Sequence, residues 1–149
     1  MPYDARVTLV GSEREIERAI RDLSRIGIDR VEVADGEDPA GAALGASTRS
    51  YPRVDWPAIA GTRTGKDVVL DVRRADEFAT GQFEGAVNVP VPELLQRFDE
   101  VPLGRILVYC ASGYRAGIAS SILDRSGRVV VQVDGAYSEA AAAGLAVSA

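Results

Sequence analysis

Three short, mostly apolar runs punctuate the second half of the chain: Val68-Val69-Leu70, Ile106-Leu107-Val108-Tyr109 and Val129–Val133. Runs of this length without regular polar alternation suit strands buried on both faces, as in parallel sheets. Helical patterns separate them. Asp55 is placed to cap a short helix containing Trp56, Pro57 and Ile59. Residues 74–80 read as a short helix, and Ala86–Val89 as a short strand. Pro92–Phe98 reads as a helix with Leu94, Leu95 and Phe98 inward. A longer helix should start near Gly113 or Tyr114 and run to Arg125, with Ile118, Ala119, Ile122 and Leu123 on its apolar face and Gly127 ending it. Ser138–Ala143 reads as a final helix. Alternating strands and helices of these lengths imply an α/β fold: a parallel sheet covered by helices on both faces.

Residues 5–34 repeat the theme on a smaller scale. Val7, Leu9 and Val10 open a β run that Gly11 breaks. Ser12 stands three residues before Glu15, the spacing of a capping box. Ile16, Ala19, Ile20, Leu23 and Ile26 then mark one helical face, Gly27 is placed as a C-cap, and Ile28, Val31 and Val33 supply a second strand. Residues 35–53 lack periodicity and read as a linker, with a short helix over Ala40–Ala46 as the alternative. The expected organisation is a partial βαβ unit over residues 1–34, a linker over 35–49 and a main domain over 50–149.

Composition removes many chemistries. The chain has no histidine, which excludes Ser/His and Cys/His catalysis and every imidazole metal site. A single cysteine excludes an internal disulfide and a cysteine-cluster metal site. What remains is one thiol, carboxylates, hydroxyls, arginines and backbone groups, and neither a metal nor an organic cofactor is expected. Of the 17 basic side chains all but Lys66 are arginines, and they are scattered among acids in a chain of net charge −5. That pattern offers no nucleic-acid footprint and no attraction to a membrane surface. No apolar stretch approaches the length of a membrane span. The start, Met1-Pro2-Tyr3-Asp4, lacks a basic and apolar leader pattern, so a cytoplasmic location is expected.

The one thiol has an informative setting. Cys110 directly follows the Ile106–Tyr109 strand and directly precedes a helix. Ligands of open parallel sheets bind beyond the carboxyl ends of the strands. Gly113 permits a tight curl whose amide groups converge on an anion, and the helix N-terminus adds positive potential at the same place. Arg115 in the first helical turn opposes the helix dipole, so its placement suggests an anion to face. Lowering any thiol's pKa by about two units raises its thiolate fraction but cuts its nucleophilicity about eightfold, a net gain of about threefold at neutral pH. Holding a charged product and orienting a donor should therefore matter more than activating the thiol. A lone cysteine is usually a small buried hydrophobe; strand end, glycine turn, arginine and helix start together favour the functional reading.

Cys110-Ala111-Ser112-Gly113-Tyr114-Arg115 resembles the six-residue active-site loop of rhodanese-like sulfurtransferase domains. The upstream segments Asp71-Val72-Arg73, Glu77-Phe78 and Gly81–Pro90 agree, as do Asp134-Gly135 and Ala143-Gly144-Leu145 downstream, so the resemblance spans roughly residues 50–147. It implies a cysteine persulfide on Cys110, with Arg115 catalytic and Ala111, Ser112, Gly113 and Tyr114 forming the substrate-binding loop. Thiosulfate or a persulfide would be the donor, and a thiol or cyanide the acceptor. Asp71 and Arg73, at a strand end beside the loop, are expected to brace the loop backbone or Arg115, or else to form a structural ion pair. Glu77 reads as scaffold. Four residues separate Cys110 from Arg115, whereas related phosphatases have five around a wider ring. Gln82, Ala136 and Ser138 depart from the family's usual histidine, glycine and aromatic residue. Residues 5–34 resemble the closing half of another such unit, an arrangement similar to the C-terminal portion of metallo-β-lactamase/rhodanese fusions. A fused hydrolase or partner domain is thus implied, and a non-catalytic binding or redox-sensing module is the alternative function.

Overall fold

The structure, a computed structural model, describes residues 6–34 and 50–148. The chain divides into two compact units between Ser50 and Tyr51.

In the first unit, β1 (Val7–Leu9) and β2 (Val31–Val33) pair in parallel around α1 (Glu13–Arg25). Ser12 closes the start of α1 by giving its backbone N–H and its hydroxyl to the Glu15 carboxylate, at 3.0 and 2.5 Å. At the other end Gly27 takes φ 78°, and the Ile28 and Gly27 amides return to the carbonyls of Leu23 and Ser24 at 3.0 Å each. The expected strand–helix–strand is present. No residue of α1 is buried.

The second unit contains β3 (Arg53–Val54), α2 (Trp56–Thr62), β4 (Val68–Asp71), α3 (Ala75–Ala79), β5 (Gln82–Phe83), β6 (Val87–Asn88), β7 (Arg105–Tyr109), α4 (Tyr114–Arg125), β8 (Val129–Val133) and β9 (Val147–Ser148). Five strands form one parallel sheet in the order β3-β8-β7-β4-β6. Alternation along β4 and β7 sends side chains to two cores. Leu70, Ile106 and Val108 pack with Ala116, Ala119 and Leu123 of α4 on one face. Val69, Leu107 and Tyr109 pack with Trp56 and Ile59 of α2 on the other. This is the α/β architecture expected from sequence, a parallel sheet with helices on both faces. Asp55 caps α2 by accepting the Ala58 amide at 2.9 Å.

Several local expectations are corrected. Pro92–Phe98 is not one helix but two single 3₁₀ turns, Val91–Glu93 and Phe98–Glu100. Leu94 is buried while Leu95 is 72% exposed, so the segment has no apolar stripe to hold a longer helix. Ser138–Ala143 likewise reduces to a 3₁₀ turn, Tyr137–Glu139, followed by turns, with Ala140 its one fully buried alanine. Ile118 is exposed and Ser120 buried, so the inward face of α4 is rotated from the expected one. Gly117 faces Gln132, and a β-carbon there would lie 3.5 Å from the Gln132 amide oxygen, which shows how closely α4 approaches β8. Arg53, read as linker, belongs to β3, and the antiparallel β5–β9 pair was not expected at all. Strands of two residues leave no periodic signal. The linker over 35–49 and the alternative helix over Ala40–Ala46 lie outside the described residues.

Candidate active site

Cys110 follows β7 and continues its alternation: its side chain joins the face of Ile106 and Val108 and is 1% exposed. Its sulfur is nevertheless not in a purely apolar setting. The Gly113 N–H donates to Sγ at 3.2 Å and the Ala116 N–H at 3.4 Å. Ala116 is the third residue of α4, whose amide a side-chain N-cap would normally satisfy. The N-cap here is Gly113, which has no side chain, and the thiol takes over the capping role. The amides of Tyr114 and Arg115, first and second in the helix, are further donors at the same end. Gly113 is required on two grounds. Its φ of 89° is left-handed, and a β-carbon would fall 2.7 Å from Asp134 Oδ1.

The loop is tied down from β8 and the segment after it. Ala111 accepts the Tyr137 N–H through its carbonyl at 3.0 Å, and the buried Gln132 amide reaches the Gly113 carbonyl at 3.4 Å. Asp134, beside Gly113, is paired with Arg53 at 2.6 Å. Ser112 and Tyr114 are exposed, Tyr114 at 79%.

Arg115 does face an anion, and that anion is Glu77. Its two terminal nitrogens donate to the two carboxylate oxygens at 2.6 and 2.8 Å. Glu77 also accepts the Arg74 backbone N–H at 3.2 Å, closing the start of α3. The Arg115 hydrogen bonds hold the Glu77 carboxyl down at about 2 against an opposing effect of burial. Arg115 is pushed up in turn, first by Glu77 and then, less, by its proximity to Cys110.

Asp71 and Arg73 do not contact the loop backbone or Arg115 in the way bracing would require. They form a buried ion pair with each other, the guanidinium meeting both carboxylate oxygens at 2.7–3.1 Å and also reaching the Gly81 carbonyl at 2.6 Å. Arg73 stacks over the rings of Tyr137 (4.0 Å) and Tyr109 (5.5 Å). Burial, and then the Asp71 carboxylate, push the Tyr109 phenol up, keeping it neutral while its oxygen accepts the Phe83 N–H at 3.1 Å. The pair therefore reaches the loop only through Tyr109 and Tyr137, its neighbours in chain and space.

A family model described as the rhodanese-like domain matches residues 58–143. The chain belongs to the rhodanese-like family. Among curated sequences, an HTH-type transcriptional regulator of Mycobacterium tuberculosis is 36% identical over 86 residues, covering 56% of this chain and 38% of that protein. The protein YqhL of Bacillus subtilis is 35% identical over 63 residues, covering 42% of this chain and 50% of that one. The chain thus spans half or less of these relatives' lengths. A rhodanese-related protein of Thermoplasma volcanium has a solved structure that aligns with TM-score 0.60 and 25% identity, over 66% of this chain and 98% of that one.

Within this rhodanese-like domain, sequence reasoning missed two supports of the Cys110 loop, Gln132 and Asp134. Gln132 carried a legible signal, a lone polar residue in the apolar β8 run. Asp134 lies in the Asp134-Gly135 motif, which by itself does not announce a contact with Gly113. Glu77 reads as scaffold from its motif, and its partner Arg115, 38 residues away, is what the sequence does not name. A cleft of about 510 Å³ borders the loop at Ser112–Tyr114, with Tyr51, Arg53, Gln132 and Asp134 completing much of its wall; Cys110 is not among the lining residues. No cluster of three or more potential metal ligands exists among the described residues, and no described helix is long and apolar enough to cross a membrane.

Proposed function

We propose that this rhodanese-like domain is a sulfurtransferase that carries sulfane sulfur as a persulfide on Cys110. One observation carries the reading: the Gly113 and Ala116 amides both point at Cys110 Sγ, at the positive end of α4. An apolar structural cysteine needs no such donors. In the forward half-reaction the Cys110 thiolate attacks the outer sulfur of thiosulfate or of a low-molecular-weight persulfide. A sulfur–sulfur bond forms, the donor's own bond to that sulfur breaks, and sulfite or a thiolate leaves with the electron pair. The terminal sulfur now bears the negative charge, which the loop amides stabilise. A thiol or cyanide acceptor then takes that sulfur and returns the Cys110 thiolate. Ala111, Ser112, Gly113 and Tyr114 would frame the donor, and Arg115 would hold the rim of the loop. Metal and organic cofactors have no part in this scheme.

Incubation with thiosulfate followed by intact-mass measurement tests the scheme. The wild-type chain should gain one sulfur atom, lose it to cyanide, and gain nothing as Cys110→Ser. An unmodified mass at saturating donor would remove the proposal.

A second reading, a sensing or binding module, draws on the 1% exposure of Cys110 and on the similarity of part of the chain to a transcriptional regulator. A Cys110 thiol inert to both donors and alkylating reagents would favour it. Under either reading we place the protein in the cytoplasm. We take residues 1–34 as the remnant of a second rhodanese-like unit joined by 35–49 to the domain over 50–149, in the manner of a fusion with a metallo-β-lactamase-type hydrolase or another partner domain.

A further inference from the structure

The loop arginine is not free. Both terminal nitrogens of Arg115 are engaged by one carboxylate in a two-point geometry, the strongest and most directional form of this pair. The two side chains are about equally shielded, 31% and 28% exposed, so neither is simply a solvated surface charge. The other charged groups near the loop are matched as well. Arg74, which lies 4.0 Å from Glu77, is paired with Asp76. Asp134, on the other side of Gly113, is paired with Arg53. The first turn of α4 carries no acid. What faces Cys110 without a matching opposite charge is therefore the backbone itself: the Gly113 and Ala116 amides and the helix start.

We propose that Glu77 sets the charge selectivity of the Cys110 loop, cancelling the Arg115 cation so that the loop meets its sulfur donor with amide dipoles rather than with a full positive charge. Glu77 is a positioning residue in this scheme, since it acts through Arg115. The substrate consequence, which rests on the sulfurtransferase reading, is a preference for donors of low net charge, such as an organic persulfide, over a dianionic oxyanion such as thiosulfate. Partial dipoles solvate the single charge of a persulfide sulfur, whereas a dianion gains most from a formal cation close by.

Cys110 is the chain's only thiol, so its alkylation can be read without interference. The test is the rate ratio of a negatively charged reagent, iodoacetate, to its neutral analogue, iodoacetamide, measured on the whole chain at neutral pH. Glu77→Gln should raise that ratio roughly three- to tenfold, the effect of unmasking the Arg115 charge at the loop in a partly aqueous setting. Glu77→Asp should keep the wild-type ratio, and Arg115→Gln added to Glu77→Gln should return it towards wild type. Equal acceleration or equal slowing of both reagents in Glu77→Gln would overturn the proposal, because a purely structural role changes access for both alike. The alkylation ratio needs no sulfur chemistry, so its failure is distinct from failure of persulfide formation. Where persulfide forms, Glu77→Gln should also lower the KM for thiosulfate more than that for an organic persulfide.

Discussion

The chain contains two strand–helix–strand units built on one plan and finished differently at one corner. In β1-α1-β2 and in β7-α4-β8 the helix ends on a left-handed glycine, Gly27 or Gly127, at φ 78° and 79°. In both, the following amide returns to the carbonyl five residues back, Ile28 to Leu23 and Arg128 to Leu123, at 3.0 Å. The helix starts diverge. Ser12 and Glu15 close α1, and acids fill its first turn. Gly113 opens α4 with no side chain, its first turn holds Arg115 and no acid, and a thiol reaches back to the amides. At the start of α1 the N-cap residue turns its own N–H and hydroxyl to the Glu15 carboxylate; at the start of α4 the Gly113 and Ala116 amides are directed at a reactive atom. The difference between a structural corner and a candidate active site is thus one turn of helix, not a change of fold.

The largest expected difference concerns one ion pair in each unit. Asp71–Arg73 is buried in the second unit, whereas Arg6–Glu32 in the first is 79% and 60% exposed. Removing one partner of a buried pair strands a charge, so Arg73→Ala should cost about 3–5 kcal/mol, while Arg6→Ala should cost under about 1 kcal/mol. Urea denaturation of each variant, followed by Trp56 fluorescence for the first and by circular dichroism for the second, gives both values. Equal costs would erase the distinction.

Gly113→Ala comes next. It combines a left-handed backbone with a contact to Asp134, and should cost about 2–4 kcal/mol and distort the loop. Gly127→Ala has open space around the added carbon and should cost about 1–2 kcal/mol from backbone strain alone. Thermal melts that rank the two in the opposite order would argue against the tight fit of the loop.

Ser12→Ala removes the hydroxyl that donates to Glu15 and should lower the stability of the first unit by about 0.5–1 kcal/mol. Helical circular dichroism against urea checks it, and an unchanged curve would mean that Glu15 closes the helix without the hydroxyl.

The last effect shows itself only in acid. Glu77 titrates at about 2 in the fold against an ordinary value of 4.5, so its pairing with Arg115 stabilises the native state fully above about pH 4.5. That contribution fades as pH falls towards 2. Glu77→Gln should flatten the acid limb of the stability profile; an unaltered limb would show the pair to be energetically idle.

What the sequence made legible follows from physical scale. The apolar runs at Val68–Leu70, Ile106–Tyr109 and Val129–Val133 are each long enough to declare strands, and Ser12, Asp55, Gly27 and Gly127 announce helix ends by local chemistry. Cys110 and Gly113 were legible for the same reason, since loop and helix start are adjacent in the chain. Contacts across the fold were not. Nothing local tells Arg115 that Glu77, 38 residues away, will meet it, whereas the ion pair of Asp71 with Arg73, two residues apart, is one of the two readings the sequence offers. The Pro92–Phe98 and Ser138–Ala143 segments misled because each fully buries one residue, Leu94 or Ala140, rather than a helical stripe.

Two amides that hold a charged sulfur are central to the proposed chemistry. Amide proton and nitrogen shifts, recorded by NMR before and after loading with a persulfide donor, address them directly. The Gly113 and Ala116 signals should move the most, downfield in the proton dimension, and should stay fixed in Cys110→Ser. Sulfur loading that leaves both signals in place, with the largest changes elsewhere in the chain, would contradict the account.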